Sequence, residues 1–148
     1  MFRGSYDHTI DGKGRLSIPA RFREELAKRQ VATLVLTTDD RCIWAFPMDE
    51  WERLEERLRQ PPHLSPDMRH IRRMLVGNAK DCAVDRVGRT LVPPELRESA
   101  GLERQVTLVG NLEYFEIWNR ERFVGYRQDH HGRLDELTSK VREPGQGT

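Results

Sequence analysis

Short apolar runs separated by turn-forming residues divide this chain into two similar series of predicted strands. In the first series, residues 33–37 and 42–46 combine β-branched, aromatic and leucine side chains in runs of strand length. Residues 105–109 and 114–118 repeat this pattern in the second half of the chain. Turns are expected between the members of each pair, at Asp39-Asp40-Arg41 and at Gly110-Asn111. The pattern therefore predicts two hairpins of similar design.

A short predicted helix precedes each of these hairpins. Between residues 20 and 28, Phe22 and Leu26 are spaced to share one helical face, with charged residues around them. Pro19 comes just before this segment and suits the first turn of a helix, where a missing N–H costs nothing. The corresponding residues of the second series are Pro93-Pro94 at the start, Leu96 and Ala100 on the face, and Gly101 at the end.

Three further helices are predicted outside these series, over residues 49–59, from Ser65 onwards, and over residues 133–142. The apolar faces of these helices are, in order, Trp51, Leu54 and Leu58; Met68, Ile71 and Leu75; and Leu134, Leu137 and Val141. Arg69, Arg72 and Arg73 lie opposite the apolar face of the middle helix. The tail at 144–148 is expected to be disordered.

The segment from Asp11 to Pro19 returns 74 positions later, from Asp85 to Pro93. Both copies read D-x-x-G-R, then a short apolar strand, then proline, and the similarity continues through the strands that follow. The predicted domains are a first repeat over 1–62 with its core at about 5–52, and a second over 63–148 with its core at about 78–124. Since half of 148 residues is marginal for a separate core, the copies would have to share one core or pack on other subunits.

The repeated motif predicts a tight turn that presents an arginine. The Asp side chain can accept hydrogen bonds from turn amides, and the Gly tolerates positive φ. The chain re-enters a strand at the Arg after that Gly, so this side chain lies near the tip of the hairpin. Its planar guanidinium group can hold a phosphate or a guanine edge with two hydrogen bonds. The Asp can pair with this Arg and orient it. The alternative is a common β-turn in which the pair only stabilises the hairpin.

Charge distinguishes the two copies although the net charge is only +1. Residues 1–23 carry five basic and two acidic side chains, whereas residues 78–104 carry five of each. Val87 and Glu95 stand in the second copy where the first copy has the basic residues Lys13 and Arg21. The first copy is therefore predicted to be the one that binds an anion. A randomly mixed solvated surface is the alternative. The residues predicted to contact DNA are Arg15, Lys13, Asp11, Arg3, Arg21 and Arg23, with Asp85, Arg89 and Arg86 as structural or auxiliary contacts.

These features together resemble the MraZ family, whose members carry two tandem domains of the SpoVT-AbrB type. The resemblance rests on Met1 to Gly4, Asp11 to Arg23, Leu75 to Gly77, Asp85 to Pro93, Leu108 to Gly110 and Phe115 to Trp118. It implies a mainly β fold with short helices, an AbrB/MazE/MraZ-like double-split β-barrel of the swapped-hairpin type. The tandem repeats would supply both halves of one barrel. The family's D-x-x-x-R motif falls on Asp11 with Arg15 and on Asp85 with Arg89.

The resemblance also implies a transcriptional regulator of the division and cell-wall gene cluster, including its own gene. Its partners would be double-stranded promoter DNA carrying short direct repeats, and further copies of itself in a ring-shaped homo-oligomer. Neighbouring subunits of a ring are related by rotation in one sense, so they suit direct repeats, and linked sites add avidity. The expected location is the cytoplasm, associated with the nucleoid.

Other classes of function have weaker support in the sequence. The chain has no Gly-rich phosphate loop, and no plausible set of a nucleophile and a base includes His8, His70 or His130-His131. No enzyme, cofactor, metal or small-molecule substrate is therefore expected. Apolar runs are too short for a membrane span, and Met1 to Ser5 resembles no signal peptide.

An antitoxin-like binding partner is the second alternative, because AbrB-type domains also occur in antitoxins. The tail after Val141 is short for wrapping a toxin, which favours the regulator. Cys42 and Cys82 are isolated cysteines in strand-like contexts, with no CxxC spacing and no nearby His at metal-ligand spacing, so both are expected to be buried structural thiols.

Overall fold

The computed structural model describes residues 1–39, 41–62 and 64–141, which have mainly β structure with short helices. The strands are β1 Ser5–Thr9, β2 Arg15–Ser17, β3 Thr33–Thr38, β4 Ile43–Pro47, β5 Lys80–Ala83, β6 Arg89–Leu91, β7 Gln105–Asn111 and β8 Tyr114–Asn119. The α-helices are α1 Ala20–Lys28, α2 Met48–Leu58, α3 Pro66–Ile71, α4 Pro94–Ser99, α5 Arg120–Asp129 and α6 Leu134–Thr138. A π-helical segment, Arg72–Val76, follows α3, and a 3₁₀ turn, Ser139–Val141, follows α6.

The sheets exchange strands between the two copies of the repeat. The larger, six-stranded sheet has the order β1-β7-β8-β4-β3-β5 and is antiparallel throughout. Strand β1 of the first copy therefore pairs with β7 of the second, while β5 of the second copy pairs with β3 of the first. The remaining strands, β2 and β6, form an antiparallel two-stranded ribbon. The strand order is unchanged when the copies are interchanged, as an approximate twofold axis requires.

Isolated bridges connect this ribbon to both edges of the larger sheet. Ile10, just after β1, bridges to Leu16 in β2, and Val84, just after β5, bridges to Thr90 in β6. The eight strands consequently form one closed, barrel-like ring in which each copy supplies half. This arrangement confirms the predicted swapped-hairpin barrel.

The interior of the barrel is one hydrophobic core built by both copies. Phe22 from α1 lies with its ring centroid 4.9 Å from that of Phe115 in β8, and both rings contact Phe2. On the second copy's side, Leu96 of α4 and Ala100, directly after this helix, are buried in the same cluster. The prediction of a shared core is confirmed, as are the predicted faces of α1 and α4.

A smaller cluster lies under α2. Trp51 packs against Phe46 and Val35, and Leu58 is also buried. The predicted helix over 49–59 is thus confirmed with a shift of one residue. Among the described residues, no helix has the length and apolar character needed to cross a bilayer.

The turn predicted at Gly110-Asn111 is wrong. Strand β7 continues to Asn111, and the turn falls at Leu112 and the residue after it, with φ of 66° at Leu112. Gly110 serves another purpose, because a Cβ there would overlap the backbone of Phe2 and Arg3. The N-terminal segment runs antiparallel beside β7 at this point, where the amide of Gly110 donates to the carbonyl of Gly4 at 2.8 Å.

The helices around the linker and the C-terminus are shorter than predicted. The helix beginning at Ser65 is α-helical only to Ile71, and its apolar side is half-exposed rather than buried. Residues 134–138 form α6, while the rest of the predicted 133–142 helix turns into the 3₁₀ segment, and residues 142–148 lie outside the described residues. The domain boundary predicted at 62 and 63 falls between α2 and α3 and stays a prediction.

Candidate nucleic-acid interface

The first D-x-x-G-R turn is held together by its aspartate. One carboxylate oxygen of Asp11 accepts hydrogen bonds from the amides of Lys13 and Arg15, each at 2.9 Å. Its second oxygen accepts the Nε–H of Arg15 at 2.7 Å. Gly14 has a φ of 88°, in the left-handed region that favours glycine. The predicted Asx-type turn and Asp–Arg pair are both confirmed.

The second turn has nearly the same geometry. Asp85 accepts from the amides of Val87 at 3.0 Å and Arg89 at 2.9 Å, and from the Nε of Arg89 at 3.2 Å. Gly88 has a φ of 81°. The side chain of Arg15 is 38% exposed and that of Arg89 is 37% exposed. Backbone geometry therefore does not distinguish the two copies.

Each aspartate is kept ionised by these contacts. The amide of Arg15 contributes most to lowering the pKa of Asp11 to about 2, and the Arg15 guanidinium and the Lys13 amide lower it further. The pKa of Asp85 is lowered in the same way, chiefly by the amide of Arg89. Because one oxygen of each carboxylate accepts from the Nε of its arginine, that nitrogen is already used. Within the described residues, neither Arg15 nor Arg89 uses an Nη group in a hydrogen bond or ion pair.

The β2–β6 ribbon brings these two arginines onto one surface. Arg15 pairs with Leu91, and Arg89 pairs with Ser17, so the arginines lie at opposite ends of the ribbon. Side chains alternate along a strand, which puts all four residues on one side. That side faces outward, because the intervening residues, Leu16 and Thr90, are buried. Two strand positions, or about 7 Å, separate Arg15 from Arg89 along the ribbon direction.

The two hairpins carry the basic residue of the tip at different positions of the turn. Lys13 is exposed at the third position of the first turn, whereas the second turn has an exposed Val87 there. The second turn instead carries Arg86 at the position of Gly12. Among the described residues, neither Lys13 nor Arg86 has a side-chain ion pair. Each hairpin thus presents one cation at its tip and one at its base.

The remaining predicted cations do not gather at the first hairpin. Arg3 and Arg21 line a separate cleft of about 290 Å³, shared with Lys28, Glu24 and Glu25, that includes no residue of either turn. Arg23 is also away from the first turn. It lies against Gly88 and lines a cleft of about 300 Å³ with Asp85 and Arg86 of the second turn.

Two basic residues that the sequence analysis did not select lie at the first hairpin. Arg97 and Arg104, both of the second copy, line a cleft of about 320 Å³ with Asp11 and Gly12. Strand exchange causes this placement, because each helix begins beside the turn of the opposite copy. The expected swapped-hairpin topology could have revealed this placement, because it puts the arginines at the start of α1 and α4 beside the turn of the opposite copy.

The other titratable groups point to structure. Cys42 and Cys82 are free, buried thiols, as expected, and burial raises the pKa of both, that of Cys82 to about 11. In the described part of the chain, no three His, Cys, Asp or Glu side chains are placed to hold a metal ion.

Comparison with known proteins agrees with this architecture. The family model described as "MraZ protein, putative antitoxin-like" matches residues 1–74 and again residues 75–139. A protein of Azotobacter vinelandii named transcriptional regulator MraZ is 44% identical over 84% of this chain and 83% of its own length. A protein of that name from Pseudomonas fluorescens strain SBW25 is 45% identical over 82% of each chain. Another, from Heliobacterium modesticaldum, is 43% identical over 95% of this chain and 96% of its own. With two repeats, one closed barrel and these relatives, the chain belongs to the MraZ family.

Proposed function

We propose that this chain is a sequence-specific DNA-binding transcriptional regulator whose reading surface is the outer face of the β2–β6 ribbon. The observation that carries the proposal is the pair of arginines on that face, Arg15 and Arg89, each held through Nε by the aspartate of its own turn. The free Nη groups are the donors that grip a phosphate or the O6 and N7 of guanine. The names of the similar proteins support a role in transcription.

The first hairpin is proposed to be the stronger contact. Within the described part of the chain, both hairpins have an unpaired cation at the tip, Lys13 in the first and Arg86 in the second. The difference lies at the third turn position, where the first hairpin has Lys13 and the second presents the apolar side chain of Val87. Asp11 belongs to the DNA-binding site through its ion pair with Arg15, which it orients. The second hairpin, with Asp85, Arg89 and Arg86, is an auxiliary contact that also stabilises the barrel. Arg3 and Arg21 are proposed to supply additional phosphate contacts from their separate cleft.

Assembly makes such a small surface effective. With a net charge of +1, one chain neutralises few phosphates and would bind weakly, with strong dependence on salt. A ring-shaped homo-oligomer would present the ribbon repeatedly and would engage short direct repeats together. The proposed target is the promoter of the division and cell-wall gene cluster that includes the protein's own gene. The protein would act in the cytoplasm, at the nucleoid.

Binding of a labelled promoter fragment tests this proposal. The fragment comes from upstream of the chain's own gene, and a scrambled fragment of equal length measures specificity. Arg15→Ala is expected to weaken binding by about 5- to 150-fold and Arg89→Ala by less, because one bidentate arginine contact contributes about 1–3 kcal/mol. Arg57→Ala is the matched control, since Arg57 is an exposed arginine on α2, outside the ribbon. Sedimentation must show an unchanged oligomeric state.

Three results would contradict parts of the proposal. Equal affinity of the wild-type protein for the promoter and scrambled fragments would contradict sequence specificity. Unchanged binding by both ribbon variants would move the DNA surface elsewhere. Equal losses, or a loss only for Arg89→Ala, would contradict the unequal roles of the hairpins.

A further inference from the structure

The strands that leave the ribbon each pass the turn of the other copy. The amide of Ile18, after β2, donates to the carbonyl of Gly88 at 2.8 Å, and the amide of Val92, after β6, donates to that of Gly14 at 2.9 Å. The helices then begin directly after Pro19 and Pro93. Each copy therefore places the start of its own helix beside the opposite hairpin.

An arginine one helical turn into each helix comes to rest on that opposite hairpin. The amide of Arg97 donates to the carbonyl of Pro93, and the amide of Arg23 donates to that of Pro19, so the two are equivalent positions. A Cβ built on Gly14 would lie 3.1 Å from both Cζ and Nη2 of Arg97. A Cβ on Gly88 would lie 3.0 Å from Nε and 3.1 Å from Nη1 of Arg23.

Arg97 is fixed in place but not neutralised. Its Nε donates to the carbonyl of Val92 at 3.1 Å, which directs the guanidinium across Gly14. Among the described residues, its Nη groups make no hydrogen bond and it forms no ion pair. A half-buried, oriented guanidinium with unused donors beside a hairpin tip is suited to a phosphate oxygen. Arg23 is held less firmly, because its side chain is exposed and makes no hydrogen bond to any other residue that the structure describes.

This exchange changes the charge at each hairpin. The first hairpin combines Lys13, Arg15 and Asp11 with Arg97 from the other copy, and the second combines Arg86, Arg89 and Asp85 with Arg23. Each set has three basic side chains and one acidic side chain, and the cleft at the first hairpin adds Arg104 and Glu103, one side chain of each sign. The strong charge difference along the sequence therefore disappears at the hairpins themselves.

Building on the proposed function, we propose that each DNA-contacting hairpin is a composite site. Arg97 adds a contact with the phosphate backbone of DNA at the first hairpin, and Arg23 adds one at the second. Each composite site combines residues of different copies, whereas proximity along the chain would place Arg23 in the same site as Arg15. Arg97 is thus a binding residue of the first hairpin although it lies in the second repeat.

Single variants give the first test, on the same promoter fragment and at several salt concentrations. Arg97→Ala is expected to weaken binding about tenfold and to reduce the slope of log affinity against log salt by about 1, the signature of one lost phosphate contact. Arg97→Lys keeps the charge but loses the Nε bond to Val92. It is expected to recover most of the affinity, which a purely structural role would not allow. Arg57→Ala should leave affinity and slope unchanged.

Double variants then assign each arginine to its hairpin. Groups that hold the same stretch of phosphate interact, so their combined loss differs from the product of the single losses. We expect such coupling for Arg15 with Arg97 and for Arg89 with Arg23. The crossed pairs, Arg15 with Arg23 and Arg89 with Arg97, should give simple products.

The outcomes separate this inference from the proposed function. If Arg15→Ala weakens binding while Arg97→Ala binds like the wild-type protein with an unchanged salt slope, the composite site is wrong and the ribbon proposal stands. Coupling of Arg15 to Arg23 rather than to Arg97 would also overturn it. If the wild-type protein has no affinity for DNA, the proposed function fails and the inference fails with it. Circular dichroism shows whether each variant retains the fold.

Discussion

The rings of Phe22 and Phe115 lie with their centroids 4.9 Å apart, and they come from different copies of the repeat. Phe22 is on α1 of the first copy, whereas Phe115 is on β8 of the second, and both are 1% exposed or less. Phe2 contacts both rings at 5.3 Å. The centre of the core is therefore a contact between repeats, and neither repeat has an interior of its own at this point.

Unfolding should consequently be a single transition for the whole barrel. Phe22→Ala is expected to cost about 3–5 kcal/mol, the range for a large buried aromatic residue, and to shift the complete transition to lower denaturant. Urea unfolding followed by tryptophan fluorescence and by circular dichroism measures this. Val87→Ala, at a side chain that is 62% exposed, should change stability by less than about 0.5 kcal/mol. Two separated transitions, or loss of only half the signal, would contradict the shared core.

Glycine at position 14 is required for two independent reasons. Its φ of 88° is unfavourable for any other residue, and a Cβ there would be 3.1 Å from the guanidinium of Arg97. Gly14→Ala is expected to destabilise the protein by about 1–3 kcal/mol through strain and displacement of Arg97. Gly12→Ala is the matched control in the same turn, because a Cβ at Gly12 meets no atom within 4 Å. Thermal unfolding of both variants gives the comparison, and equal effects would contradict this account.

The carboxyl group of Asp11 should titrate well below its usual value of 3.8, at about pH 2. Because folding lowers this pKa, the stabilisation by the ionised group is present above pH 3.8 and is lost as the pH falls towards 2. In Arg15→Ala the pKa is expected to rise only part of the way, since the backbone amides still donate. Carboxyl ¹³C NMR measures the titration. Asp85 in the same spectra serves as the internal control, with a lowered pKa that Arg15→Ala leaves in place.

Glu116 should make stability depend on pH in the opposite sense. Burial raises the pKa of this carboxyl above its usual 4.5, so its contribution is present below pH 4.5 and is lost as the pH rises through the folded-state value. Glu116→Gln removes the buried charge while keeping an acceptor for the Nε1 of Trp118. Its melting temperature is expected to match that of the wild-type protein at about pH 4 and to exceed it at about pH 8. Glu113→Gln, at an exposed position, should show no such difference, and a parallel shift at both pH values would contradict the assignment.

Much of the fold follows from local sequence patterns, and the strands that these patterns did not predict were missed for one physical reason. The segments with clear apolar periodicity, such as α1, β3 and β8, form the predicted elements. Strands β1 and β5 gave no such signal, because they lie at the edges of the larger sheet and are largely exposed and polar. Their pairing is determined by the exchange between copies, which no short window of sequence contains.

The candidate site was predictable in its parts but not in its grouping. The hydrogen bonds of Asp11 and the conformation of Gly14 follow from turn chemistry within five consecutive residues. The location of Arg23 does not, since it depends on where the chain goes after Pro19. Proximity along the sequence assigned it to the first hairpin, and the topology puts it at the second.

The exchange of β1 and β5 also affects how the protein can assemble and evolve. If two separate chains built such a barrel, its formation would depend on their concentration, whereas within one chain it is a first-order process and survives dilution. Two identical chains would also carry every mutation in both hairpins at once. Here Lys13 and Val87 occupy equivalent positions with different side chains. Because the copies are joined in one chain, each hairpin can change its sequence independently of the other, while both still pack on one shared hydrophobic core.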